Sequence, residues 1–66
     1  MYKPTENEIR EAEALLVERQ LTVDAMNAAG ATDREILPAL RALDSVKGWL
    51  YAVEKYGEVR LKLSEI

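Results

Sequence analysis

The chain has 66 residues, with nine Lys plus Arg against twelve Asp plus Glu and neither His nor Cys, which leaves room for one domain with one modest core. The commonest general base, the usual zinc ligands, the thiolate nucleophile and any disulfide are missing together, so no enzyme, metal centre or cofactor site is expected. The net charge of −3 is uneven: residues 1–31 carry three basic and six acidic groups and residues 32–66 six of each, so a basic surface has to be local and in the second half.

Thr5 followed by Glu8 is a capping box, with Pro4 just outside it. Behind the cap, Ile9, Ala12, Leu15 and Leu16 share one face, which predicts a first helix over about 6–20. Glu6, Glu8, Glu11, Glu13 and Glu18 form its solvated side, partly favoured by the helix N-terminus.

Leu21 to Gly30 reads in two ways. A continued helix would align Val17, Leu21, Ala25 and Ala28 in a second apolar stripe on the side of Arg10. A cap at Thr22 instead gives a short second helix over about 23–29. Val23, Met26 and Ala29 then point inward, Met26 fills the core, and Gly30 is the left-handed stop. The break is the expectation.

Thr32 and Glu35 form a second capping box two residues after Gly30 and predict a third helix over about 33–46. Ile36, Ala39, Leu40 and Leu43 fall within about 100° of arc, with Arg34, Pro38, Arg41 and Ser45 opposite. Pro38 lacks the N–H that should bond the carbonyl of Arg34, which predicts an irregular first turn or a helix starting near Leu37.

Residues 48–64 also admit two readings. As helix, Val46, Leu50 and Val53 extend the stripe of Ile36 and Leu43, Gly57 ends it, and the chain is a helical hairpin. As strands over about 49–63, Val53 opposes Val59, Tyr51 opposes Leu61 and Trp49 opposes Leu63 around a turn at Lys55-Tyr56-Gly57. The strict alternation of 59–63 and the strand preference of Trp, Tyr and Val favour the β-hairpin, with Trp49, Tyr51 and Val53 as its packing face.

Helix, short helix, glycine turn, helix and terminal hairpin is the element order of the winged helix-turn-helix superfamily, which the chain resembles over about residues 5–64. Ala25, Ala29, Gly30, Ala31 and Ile36 occupy the family's small, apolar, glycine and β-branched positions around the turn. The resemblance implies an α+β fold whose third helix enters the major groove of double-stranded DNA through Thr32, Arg34, Pro38, Arg41 and Ser45. It also implies a wing that touches DNA through Lys55, Tyr56 and Arg60. Two arginines seven residues apart suit guanine edges or phosphates.

The expected function is then a small sequence-specific DNA-binding protein, either a transcriptional regulator or a recombination or packaging accessory factor, acting as a dimer. The competing expectation is a non-enzymatic protein-interaction module, inhibitor or adaptor. It would work as an acidic winged helix or as an all-α helical hairpin that dimerises into a four-helix bundle. A homodimer suits either reading, because a chain this short buries little surface alone. No apolar run resembles a signal peptide or reaches the ~20 residues of a membrane span, so a cytoplasmic location with no membrane partner is expected.

Overall fold

A computed structural model describes residues 1–66 as two long helices and a C-terminal segment packed across their open end. Helix α1 spans Glu6–Ala28 and α2 spans Asp33–Tyr56; a single turn of 3-10 helix, Leu63–Glu65, ends the chain. The molecule measures 39 × 19 × 18 Å. Helices of 23 and 24 residues are each about 35 Å long, so both lie along the one long axis as an antiparallel pair.

Both predicted capping boxes form. The Glu8 N–H donates to Thr5 Oγ1 at 3.2 Å and the Thr5 N–H donates back to the Glu8 carboxylate at 3.3 Å. At the start of α2, the Glu35 N–H donates to Thr32 Oγ1 and the Thr32 N–H to the Glu35 carboxylate, both at 3.2 Å. Between the helices, Gly30 takes φ +79°. The Ala31 N–H reaches the carbonyl of Met26 and the Gly30 N–H that of Asn27. This double closure satisfies the last carbonyls of α1 and reverses the chain in four residues.

Three expectations are corrected. The first concerns the break near Thr22: α1 is continuous. The Thr22 hydroxyl donates to the Glu18 carbonyl one turn back at 3.1 Å instead of capping a new helix, and Gln20 Nε2 donates to Asp24 across the same point at 3.0 Å. A threonine bonded back to the preceding turn is tolerated inside a helix at a slight cost. There are therefore no separate helices over 6–20 and 23–29.

The second correction is the wing. Residues 49–56 continue α2 instead of pairing as a strand, so the α+β winged-helix fold gives way to an all-α hairpin. Val46 and Trp49 are buried, with Leu50 and Val53 packed beside them. Gly57, at φ +71°, stops the helix, as the helical reading of this segment has it, and does not close a β-turn. Burial against α1 outweighs the strand preference of Trp, Tyr and Val. Val59 does form an antiparallel bridge, but with Tyr2 near the N-terminus: paired N–H to carbonyl bonds of 2.8 and 2.9 Å join the two residues.

The third correction is Pro38, which neither delays nor breaks α2. Arg34 and Pro38 are both exposed, so water can reach the carbonyl that the proline leaves without a donor, and only a helical bond is lost.

The core has two parts. Towards the turn, Val23, Ile36 and Leu43 pack with Met26, Ala31 and Ala39. Towards the open end, Ala12, Val46 and Trp49 pack with Val59 and Leu63 from the C-terminal segment. That segment is tied down by the Trp49 indole N–H, which donates to the Leu61 carbonyl at 2.9 Å. Only eight residues are buried, none of them polar.

Candidate functional site

Lys47 and Trp49 are two residues apart on α2 and so about 200° apart around it. They mark the two broad faces of the hairpin. The Trp49 face carries the C-terminal segment at its open end. The Lys47 face carries no third layer. There Leu16, Val17, Gln20 and Leu21 of α1 and Lys47 of α2 border a shallow groove of about 310 Å³.

Val17 is 59% exposed and Leu21 62%. They sit on the side of α1 away from Ala12 and Val23, because the continuous helix places Val17, Leu21, Ala25 and Ala28 on an outer stripe of its own. The helix thus has an apolar inner side that fills the core and an apolar outer side that meets water. Leu37 and Leu40 of α2 are also partly exposed.

Of the residues expected to contact DNA, Arg34, Pro38, Arg41 and Ser45 stay together on one exposed face of α2, while Thr32, Lys55, Tyr56 and Arg60 lie at its two ends or beyond it. Thr32 is committed to the α2 cap, where its hydroxyl also donates to the Glu35 carboxylate at 2.9 Å. Arg34, Pro38 and Arg41 are exposed along α2. Ser45, on the same helix, donates to the Arg41 carbonyl at 2.9 Å. Lys55 and Tyr56 are in the last turn of α2, where Lys55 Nζ lies 5.5 Å from the Tyr51 ring, 5.7 Å from the Tyr56 ring and 3.0 Å from the Tyr51 hydroxyl. Arg60 belongs to the C-terminal segment. Ser45, Tyr56 and Arg60 do converge, as the rim of a groove of about 490 Å³ floored by Gly48, Trp49 and Leu61. No strand carries Lys55, Tyr56 or Arg60, so the wing contacts expected of them lose their scaffold.

No family model, curated protein or solved structure matches the chain.

Electrostatics single out helix starts and the N-terminal arm. Glu8 is held below the ordinary carboxylate value of 4.5, chiefly by the hydrogen bond donated by the Tyr2 hydroxyl; desolvation is the next largest effect and opposes it, and weaker donors at Thr5 and the Leu63 backbone add to the lowering. Tyr2 is pushed above 10.0 by the same bond, with burial and the Glu8 charge adding to it. Glu35 is lowered by the Thr32 backbone N–H and hydroxyl. These shifts fasten termini and caps. No group of three or more acidic side chains is arranged to hold a metal ion, and no helix is long and apolar enough to cross a membrane.

The expected short helix over 23–29 is the reading whose correction matters most here, because the continuous α1 is what exposes Val17 and Leu21 on one outer face. The second stripe through Val17, Leu21, Ala25 and Ala28 is visible in the spacing, and Gln20 and Asp24 at i, i+4 are a side-chain pair that a continuous helix would use.

Proposed function

We propose that the chain is a non-enzymatic protein-interaction module: an α-helical hairpin that offers its Lys47 face, centred on the outer stripe of α1, to another helical surface. One observation carries this reading. On the Lys47 face, Val17 and Leu21 are more than half exposed beside a groove between the helices, on the side of α1 that the core does not use. Val17 and Leu21 stand one turn apart and so make a contiguous exposed apolar patch, the kind of surface that marks protein contacts. The hairpin is also the geometry from which helical partners build bundles.

The reading is tested by substitution of the face. The tagged chain and a Val17→Lys/Leu21→Lys variant are compared for the proteins each retains from its source cells, with Pro38→Lys/Ser45→Lys as a control of equal charge change on the exposed outer side of α2. Retention lost only in the first variant supports the reading. Retention unchanged in that variant overturns it. So does micromolar or tighter binding to duplex DNA that disappears with Arg34→Glu/Arg41→Glu, since the function would then lie on the exposed side of α2.

A further inference from the structure

We propose that the occupant of the outer face of α1 is a second copy of this chain, packed antiparallel through that helix so that two hairpins form a four-helix dimer. This rests on the interaction-module reading and gives it a partner.

The first argument is area. The chain exposes 4923 Å², whereas a compact monomer of 7.4 kDa exposes about 4,200 Å². The excess of about 700 Å² belongs to the elongated 39 × 19 × 18 Å shape as a whole, which leaves surface from which an interface of standard size would take about 800 Å² on each partner. The radius of gyration says the same: 13.1 Å against about 11 Å for a compact domain of 66 residues.

The second argument is the spacing of the seam. Arg10, Ala14, Val17, Leu21, Asp24 and Ala28 are separated alternately by four and three residues and are all exposed. This is the heptad spacing by which helices pack along a line. Alanines at 14 and 28 allow close approach, and the large apolar pair Val17 and Leu21 lies at the centre.

The third argument is charge, which fixes the direction. In a parallel pair, Asp24 would face Asp24 and Arg10 would face Arg10, and like charges so placed oppose association. With a two-fold axis level with residue 19, Val17 meets Leu21 of the second copy and Leu21 meets its Val17. Arg10 then lies opposite Ala28 of the second copy, one helical turn from its Asp24, within reach of an arginine side chain. The symmetry repeats the Arg10–Asp24 pair at the other end of the seam, as an isologous interface requires.

Sedimentation equilibrium of the full chain should give twice 7.4 kDa at about 100 µM, a concentration that detects association as weak as that of a marginal dimer. Val17→Lys/Leu21→Lys should halve the mass with the far-ultraviolet circular dichroism unchanged, since both side chains lie outside the core. Arg10→Glu should weaken the dimer about tenfold, and adding Asp24→Arg should restore it, because the pair is then reversed and not lost. The chain has no Cys, so an equal mixture of Val17→Cys and Leu21→Cys chains should oxidise faster to the mixed dimer than to either same-site dimer.

Three results overturn the proposal: a monomer at that concentration, a dimer indifferent to lysines at 17 and 21, or same-site disulfides that form fastest. A monomer that still retains another protein through Val17 and Leu21 removes the second copy and leaves the interaction-module reading standing. A dimer held by some other surface, with no protein retained through this one, removes both.

Discussion

The indole N–H of Trp49 donates to the backbone carbonyl of Leu61 at 2.9 Å, across twelve residues of chain. Trp49 also packs in the open-end core with Ala12, Val46, Val59 and Leu63, so one side chain joins both helices to the C-terminal segment. Trp49→Ala should destabilise the fold by about 3–5 kcal/mol, most of what a domain of this size has. Trp49→Phe keeps much of the packing and loses the hydrogen bond to the Leu61 carbonyl, on a residue that water reaches, and should cost about 0.5–1.5 kcal/mol. Urea unfolding checks both, and a Phe variant as unstable as the Ala variant would show that the hydrogen bond dominates.

Two glycines should respond to alanine in opposite directions. Gly57 holds φ +71° where α2 stops, and Gly57→Ala should destabilise by about 1 kcal/mol because a Cβ is strained in the left-handed region. Gly48 lies inside α2, and an added Cβ there would meet nothing within 4 Å. Gly48→Ala should therefore stabilise by about 0.5–1 kcal/mol. Thermal melts of the two variants give the signs, and a loss of stability at Gly48 would reveal a close approach that the free hairpin does not contain.

Pro38→Ala restores an N–H facing the Arg34 carbonyl at an exposed position in α2. A proline inside a helix costs about 3 kcal/mol relative to alanine, partly offset by the freedom that proline removes from the unfolded chain. The net expectation is a stabilisation of about 1–2 kcal/mol, read from the denaturation midpoint. An unchanged or lower midpoint would mean that α2 has already adjusted its backbone around the ring.

Acid should loosen the caps. Glu8 and Glu35 are both lowered from 4.5 in the folded chain, so the folded state favours their charged forms. Their contribution is fully present above the unfolded value and is lost as pH falls through their lower folded values. Tyr2 is raised above 10.0, so its contribution is complete below that value and is lost as pH rises through the folded one. Tyr2→Phe should remove the alkaline loss and bring the folded Glu8 value back towards 4.5, as carboxylate chemical shifts would report. A Glu8 titration unaffected by that substitution would assign its shift to the cap alone.

The amino-acid sequence by itself determined both capping boxes, the starts of both helices, the two left-handed glycines, and the inner faces that include Ala12, Val23, Ile36 and Leu43. These depend on neighbours within one or two turns, where spacing and side-chain chemistry are enough. It also excluded His- and Cys-based chemistry. Tertiary packing decided the rest. Thr22 could cap a helix or bond back to Glu18, and residues 49–53 could be strand or helix. Those choices turn on whether Val46, Trp49, Leu50 and Val53 are buried against α1 as one helical stripe. The alternation of 59–63 does not become a strand: Arg60 and Leu61 bend, Leu63 starts the 3-10 turn, only Val59 and Leu63 are buried, and Val59 pairs with Tyr2, a contact between opposite ends of the chain that no local pattern encodes. The outer stripe of α1 was present in the spacing throughout, and only a continuous helix with its other side buried turns it into an exposed face.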